Sequence, residues 1–203
     1  MKAELKTAAV IVLLIILLSA GCARRRAVMK DTFLLEAQRG SISAGPVSER
    51  ILAVLPFSIA PAFEGKGIVS RTGENQYESD YYNEYFVSPA PMITERTRNW
   101  LSQSGLFAQV VSPVSSVEPT VVLEGHVQRI LLDIRDPAAA RAELEITFFL
   151  LEQHKRDRTI RFKKTYSVFQ AIESGSVRDY MAAQSRCLGD ILEKLENDLT
   201  LRL

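Results

Sequence analysis

The chain has little of the chemistry from which catalytic and metal centres are built. It contains only two histidines and two cysteines among 203 residues, and none of them has the spacing of zinc ligands. His126 falls on the polar face of a predicted strand, and His154 falls in a predicted hairpin loop. Residues 65–67, Gly-Lys-Gly, do not continue into a phosphate-binding loop, and there is no Gly-x-Ser-x-Gly elbow. The sequence therefore predicts no enzyme, no catalytic residues and no metal site.

The chain also lacks a charge bias. Two basic residues and one acidic residue precede Cys22, so 23 basic and 23 acidic residues remain of the original 25 and 24. A near-neutral chain gives no reason to expect a nucleic-acid partner. If Cys22 is modified, Cys187 has no partner for a disulfide. Because Cys187 follows Tyr180 by seven residues in a helical pattern, we expect a buried core thiol rather than a reactive one.

No apolar run is long enough to cross a membrane. The uncharged run at residues 8–20 has 13 residues, whereas a transmembrane helix needs about 20. Two lysines precede the run, and it ends in Leu18-Ser19-Ala20-Gly21-Cys22. This order is typical of a secretory signal followed by a lipoprotein cleavage site. An uncleaved anchor and a plain signal peptide with a chance cysteine are the alternatives.

We predict that residues 1–21 are a signal peptide and that Cys22 receives a covalent diacylglycerol and an N-acyl lipid. Two or more acyl chains give stable anchoring, whereas one does not. Residues 22–31 then form a tether with three arginines at positions 24–26, which either contact anionic headgroups or are simply solvated. Ala23 stands where an aspartate would indicate retention in the inner membrane, so its presence favours the outer membrane, facing the periplasm.

The remaining residues, 32–203, have the length of one domain. Apolar or alternating segments predict strands at 32–35, 51–57, 67–72, 106–111, 121–131, 141–151 and 159–169. The last three have period two and predict an antiparallel meander. Glu143 and Glu145 share one strand face, which indicates a surface salt network rather than an acid–base pair.

Two main helices are predicted, at about 88–104 and 177–201. Ser88 is the predicted cap of the first helix, Pro89 begins it and Gly105 ends it. The second helix has a long apolar stripe, which we expect to cover the sheet. The predicted fold class is α+β: a mixed, largely antiparallel sheet with both helices packed on it.

An aromatic segment lies between the predicted strands and the first helix. Tyrosine and arginine dominate the energetics of protein interfaces. We therefore predict a partner surface here, with half-buried strand residues as the alternative. Its members are Arg71, Tyr77, Tyr81, Tyr82, Tyr85 and Phe86.

The order of several segments resembles a known family. The run Ile51-Leu52-Ala53-Val54-Leu55-Pro56-Phe57 is followed by Ile68-Val69-Ser70-Arg71, the aromatic segment, Pro89, a helix, and Gly105-Leu106-Phe107-Ala108-Gln109-Val110. Behind a lipoprotein signal, this order resembles the ABC-type transport auxiliary lipoproteins, the family that includes paraquat-inducible protein C. Ser70 and Phe86 depart from the tyrosine and tryptophan that are usual at these places.

The resemblance implies a mixed sheet with helices and a non-enzymatic accessory role. Family members resemble partners of MCE-domain proteins and of an ABC transporter that moves lipids or other apolar molecules across the envelope. The lipoprotein would dock the periplasmic MCE assembly at the outer membrane. Two alternatives stay open: a periplasmic carrier that binds the lipid cargo itself, and an assembly or pilot lipoprotein of another envelope complex.

Overall fold

The computed structural model describes residues 29–40, 48–154 and 157–202. Nine strands and two α-helices follow one another in these ranges, with short 3-10 turns at Pro61–Phe63 and Pro137–Ala139. The strands are β1 Asp31–Phe33, β2 Ile51–Val54, β3 Ser58–Ile59, β4 Gly67–Arg71, β5 Tyr77–Tyr85, β6 Gln109–Val111, β7 Val121–Asp133, β8 Arg141–His154 and β9 Asp157–Ala171. The helices are α1 Pro89–Gln103 and α2 Val177–Thr200.

Strand β7 organises the sheet. On one side β8 pairs with it antiparallel along its whole length, and β9 continues the sheet beyond β8. On the other side three short strands follow one another along β7, all parallel to it: β2, β3 and β4. Beyond these, β6 lies next to β2, β5 lies next to β4, and β1 lies next to β5. This mixed sheet with two helices confirms the predicted α+β class.

The apolar run at 51–57 was predicted to be one strand, and this is wrong. Only its first four residues form β2, and β3 begins after the run, at Ser58. Pro56, which lies between the two strands, has no amide hydrogen to donate. The next residue, Phe57, donates its amide hydrogen to Thr94 Oγ1 of α1 at 3.0 Å instead of to a strand. Residues 106–108, also predicted as strand, precede β6.

A row of packed aromatic rings begins at Phe57, in the segment between β2 and β3. The rings of Phe57 and Phe148 meet edge to face at 5.6 Å, and Phe148 meets Tyr166 at 6.0 Å. Gly125 of β7 makes room for them, because a Cβ atom there would lie 2.6 Å from the Phe57 ring. The glycine in the middle of a strand is therefore required by packing.

Helix α1 begins and ends near the predicted residues. Ser88 occupies the cap position and Pro89 the first turn, but the Ser88 side chain makes no capping hydrogen bond. Gly105 follows the helix with a φ of 67°, the left-handed conformation in which glycine commonly ends helices. The helix ends just before Gly105, so the predicted end is confirmed.

Helix α2 covers the meander, as its apolar stripe predicted. It packs on β8 and β9, and Cys187 on its inner face is completely buried. The thiol lies 3.7 Å from the carbonyl oxygen of Ala142, and burial raises its pKa to about 12. The predicted core position of Cys187 is confirmed by its burial, and a thiol with a raised pKa is mostly protonated near neutral pH.

Residues 34–40, which we call the strap, cross both helices between β1 and the next strand. Leu35 is buried, and its carbonyl oxygen accepts a hydrogen bond from Arg96 of α1 at 2.9 Å. Further along the strap, Arg39 bonds to Glu196 of α2, and Glu196 also accepts the indole hydrogen of Trp100 at 2.7 Å. The start of the domain is thus fixed to both helices.

Candidate functional site

The predicted signal peptide and lipidation site lie outside the described residues, as does most of the tether. Cys22 and the three arginines after it therefore remain predictions from the sequence. In the described ranges, no helix has the length and apolar character needed to cross a membrane. The first described residues, Met29 and Lys30, lead directly into β1.

Most residues of the aromatic segment lie on strand β5, and most of their side chains face solvent. Tyr77, Tyr81, Tyr82 and Phe86 have exposed fractions of 51%, 62%, 59% and 59%. These four residues are available to a partner. Large aromatic side chains that remain this exposed are unusual on a monomer when they occur together.

Tyr85 does not belong to this surface, and its inclusion was wrong. Its side chain is only 2% exposed, and its hydroxyl lies 3.0 Å from the hydroxyl of Tyr180 on α2. The reason is an irregularity in the pairing of β5 with β4. Between two paired positions β5 advances five residues, from Ser79 to Glu84, while β4 advances two. This odd excess reverses the side of the sheet to which later residues point.

Asp80 fixes that irregularity. Its carboxylate accepts hydrogen bonds from the amides of Tyr82 and Asn83 at 2.8 and 3.0 Å, and from the Asn83 side chain at 2.9 Å. These bonds outweigh the cost of partial burial and lower the pKa of Asp80 below its usual value. The bend presents Tyr81 and Tyr82 to solvent, with their rings edge to face at 5.4 Å.

Arg71 supports the opposite end of β5. Its guanidinium donates to the carbonyl oxygens of Gly73 and Glu74 at 3.3 and 2.8 Å, which closes the turn between β4 and β5. The guanidinium also lies 5.8 Å from the centre of the Tyr77 ring. Arg71 is therefore a half-buried support of the turn, and Tyr77 is the more accessible member of the pair.

Next to Arg71 lies an ionic cluster that the sequence did not predict. Asp133 is buried at the end of β7, directly across from Arg71 in the pairing of β4 with β7. Arg135 donates two side-chain hydrogen bonds to its carboxylate at 2.9 and 2.7 Å, and Arg141 lies 3.4 Å away. The hydrogen bonds from Arg135 are the main cause that lowers the pKa of Asp133 to about 2.

An exposed aromatic residue adjoins this cluster. Phe169 of β9 is 64% exposed, and the guanidinium of Arg141 lies 5.1 Å from its ring centre. The alternation of apolar and polar residues predicted a strand that ends at Phe169. It did not predict that this strand, β9, lies at an edge of the sheet. Exposure of this residue follows from topology rather than from local sequence.

The histidines and the paired glutamates make local polar contacts. Within the described residues, no three histidine, cysteine or acidic side chains are grouped to hold a metal ion. His126 Nδ1 lies 2.8 Å from the Ser58 hydroxyl, and His154 lies near Glu152. Glu143 and Glu145 lie 3.7 and 3.9 Å from Arg129, as the predicted salt network requires.

Charged side chains form part of the lining of two grooves that border α2. One of about 370 Å³ lies between the strap and α2, and its lining includes Glu36, Arg186 and Asp190. Another lies between β9 and the end of α2, beside Lys164 and Asp198.

Several solved structures of other proteins have the same fold. A Xanthomonas campestris protein of family DUF330 superposes with a TM-score of 0.71 at 18% identity, covering 87% of this chain and 96% of its own. An uncharacterised protein gives 0.63 at 14% identity, covering 84% and 98%. The hypothetical protein CT253 of Chlamydia trachomatis gives 0.52 at 11% identity, covering 75% and 98%. At such identities the likeness shows the fold alone.

The family model assigns the chain within this class. The model of the ABC-type transport auxiliary lipoprotein component matches residues 33–195, which is most of the chain. The protein belongs to the ABC-type transport auxiliary lipoprotein family, and the predicted resemblance is confirmed. No curated protein matches the sequence significantly. Membership associates the chain with the cell envelope and with an ABC-type transport system.

Proposed function

We propose that this protein is a non-enzymatic subunit that docks the periplasmic MCE assembly of an ABC transport system at the outer membrane. The observation that carries the proposal is the family match over residues 33–195, in a chain whose first 22 residues have the order of a lipoprotein signal. In this role the acyl chains on Cys22 hold one end at the membrane, and the folded domain presents its surface to the partner. The transported molecule is a lipid or another apolar solute.

The fold supports anchoring close to the membrane. Met29 is seven positions after Cys22, so even a fully extended tether spans only about 25 Å. Strand β8, with 14 residues, is longer, at about 46 Å. The domain therefore stays near the bilayer, and the strap transmits any pull on the tether to both helices through Arg39 and Glu196.

The partner surface is the exposed part of the aromatic segment: Tyr77, Tyr81, Tyr82 and Phe86, with Arg71 supporting Tyr77. Tyrosines bury much area at a small cost in side-chain entropy, so they are frequent interface anchors. The bend at Asp80 holds Tyr81 and Tyr82 in position before a partner arrives. Such preorganisation reduces the entropic cost of binding.

A carrier that holds the lipid itself is the second candidate. It needs an apolar cavity, but the space between α2 and the meander is filled by Phe148, Tyr166, Leu188 and their neighbours. An assembly or pilot lipoprotein of another envelope complex is a third candidate. Secretin genes beside this one would favour it, whereas permease, ATPase and MCE genes favour the docking role.

The docking role can be tested by capture. Detergent-solubilised full-length lipoprotein is immobilised and exposed to the MCE-domain protein encoded beside the permease and ATPase. We expect retention that Tyr82→Ala and Tyr81→Ala weaken, because each removes an exposed anchor without touching the core. Arg71→Ala is less informative, since it also opens the turn between β4 and β5.

The matched control is Arg178→Ala, which removes an exposed side chain at the start of α2. It should leave capture unchanged. If no MCE protein is retained and purified lipoprotein carries one extractable lipid per chain by mass spectrometry, the carrier role replaces the docking role. A Cys22→Ser variant checks the anchor separately, because it should lose its membrane association and keep its fold.

A further inference from the structure

A pocket of about 350 Å³ lies beside the C-terminal end of α2. Its lining combines apolar side chains of β8 and β9 with three arginines, and the set is Arg50, Leu150, Arg161, Phe162 and Arg202. Arg50 precedes β2, Arg161 lies on β9 and Arg202 follows α2. The fold thus brings three cationic side chains together from distant parts of the sequence, and we call this site the arginine pocket.

The backbone that carries two of the arginines is held by hydrogen bonds. The amide of Arg50 donates to Ser48 Oγ, and its carbonyl oxygen accepts the amide hydrogen of Ala108, both at 3.0 Å. The amide of Arg202 donates to the carbonyl oxygen of Leu199 at 2.9 Å. A site whose backbone is already fixed loses less conformational freedom when a ligand binds.

The apolar part of the lining belongs to the core. Leu150 and Phe162 lie opposite each other in the pairing of β8 with β9, and they are 2% and 4% exposed. The guanidinium of Arg202 lies 5.2 Å from the centre of the Phe162 ring. This cation–π contact positions Arg202 but leaves its positive charge uncompensated.

Glu152 is an acidic neighbour of the pocket, and it is bonded to Arg161. The hydrogen bond from Arg161 is the main cause that lowers the pKa of Glu152, and the charges of His154 and Arg50 contribute to the shift. The carboxylate is therefore ionised near neutral pH. Its single negative charge offsets only one of the three arginines.

The other two arginines form no ion pair with an acidic side chain of the described residues. Asp198 lies one turn before Arg202, but its carboxylate accepts hydrogen bonds from Lys164 and Tyr166 at 2.5 and 2.6 Å. Positive charge thus remains in excess around the pocket. Excess charge in a concave site with apolar walls attracts a ligand of the opposite sign.

The chemistry of arginine narrows the class of this ligand. A guanidinium group presents its N–H donors as a planar fork that binds two oxygens at once. A carboxylate has only two oxygens, and Arg161 already has such a partner in Glu152. A phosphate group has more oxygens, so it can accept hydrogen bonds from several guanidinium groups at the same time.

We propose that the arginine pocket binds a phosphate group, with Arg50 and Arg202 as its main ligands and Arg161 beside them. The same group occurs in soluble phosphate and in the headgroup of a phospholipid, and in a phospholipid the glycerol part would lie beside Phe162. The proposal does not rest on the docking role, because it concerns a small ligand and not a partner protein.

Calorimetric titration of the full-length lipoprotein in detergent with inorganic phosphate tests the soluble source. We expect saturable binding of one phosphate per chain. Arg50→Gln and Arg202→Gln should each raise the dissociation constant by about tenfold or more, because each removes a charge-assisted hydrogen bond. The matched control is Arg178→Gln, which removes the same charge from an exposed position at the opposite end of α2. It should leave binding unchanged.

Native mass spectrometry with added phosphatidylglycerol tests the lipid source. One lipid should stay on the wild type and on Arg178→Gln, and it should be lost from Arg50→Gln and Arg202→Gln. Retained lipid without binding of inorganic phosphate identifies a headgroup site. Binding of inorganic phosphate without retained lipid identifies a soluble ligand. Either result supports the pocket and separates the two sources.

Melting temperatures distinguish a lost site from a lost fold. In chloride all four proteins should melt at similar temperatures. Replacing chloride by phosphate at equal ionic strength should raise the melting temperatures of the wild type and Arg178→Gln more than those of the two pocket variants. Phosphate or lipid that binds equally to all four proteins overturns the proposal, since the ligand then lies elsewhere. A wild type that binds neither probe overturns it as well.

Discussion

The hydroxyl groups of Tyr85 and Tyr180 lie 3.0 Å apart, and both side chains are buried. This hydrogen bond joins β5 to the first turn of α2 across the core. Burial raises the pKa of Tyr180 well above its usual value, so its hydroxyl stays protonated and neutral at physiological pH. The pair holds in place the strand that carries the proposed partner surface.

Removing one hydroxyl should leave the other buried without a partner. Tyr85→Phe and Tyr180→Phe should therefore each lower the free energy of unfolding by about 1–3 kcal/mol. The double variant should cost less than the sum of the two, because no orphan hydroxyl remains. Urea unfolding of all four proteins gives the coupling. Additive losses would mean that the two groups do not interact. Tyr81→Phe, on the exposed side of β5, is the control.

Two glycines should respond in opposite directions to the same substitution. Gly125→Ala places a Cβ atom 2.6 Å from the Phe57 ring, and such overpacking costs about 1–3 kcal/mol. Gly189→Ala meets nothing within 4 Å in the middle of α2, so it should add about 0.5–1 kcal/mol through helix propensity. Thermal unfolding measures both. If Gly125→Ala raised the melting temperature as much as Gly189→Ala does, the Phe57 ring would be able to move aside at little cost in free energy.

Asp133 should make the protein sensitive to acid. Its pKa is lowered from 3.8 to about 2 in the fold, chiefly by Arg135. A depressed pKa means that the contribution to stability is complete above pH 3.8 and is lost as the pH falls through about 2. Asp133→Asn should therefore be less stable than the wild type at pH 6. The difference should shrink towards pH 2. A difference in unfolding free energy that is the same at both pH values would contradict this account.

Glu196 can be probed through the single tryptophan of the chain. Glu196→Ala leaves the Trp100 indole and the Arg39 guanidinium without this acceptor, so the strap should loosen. We expect a loss of about 1.5–3 kcal/mol, a shifted Trp100 fluorescence maximum and faster proteolysis near residue 40. Glu193→Ala, one turn earlier and exposed, should do none of this. Unchanged proteolysis would mean that Leu35 alone fixes the strap.

The sequence was most informative where structure is local. Alternation predicted the meander and the 3.6-residue period predicted α2, because both patterns arise from one buried face. The exposure of Phe169 and the burial of Tyr85 could not be predicted in this way. The first depends on β9 being at the edge, and the second depends on a pairing irregularity fixed by Asp80. In the Asp133 cluster only Arg135 is a sequence neighbour, whereas Arg71 and Arg141 come to lie beside Asp133 through the pairing of β7 with β4 and β8.

Strand β7 has a consequence for the order in which an exported chain can fold. The strands β2, β3 and β4 all precede β7 in the sequence and all pair with it. A chain that crosses a membrane with its N-terminus first delivers these strands while their common partner is still on the other side. Before residues 121–133 have passed, β2 can pair only with β6 and β4 only with β5. The topology itself therefore delays the joining of these separate pieces into one sheet.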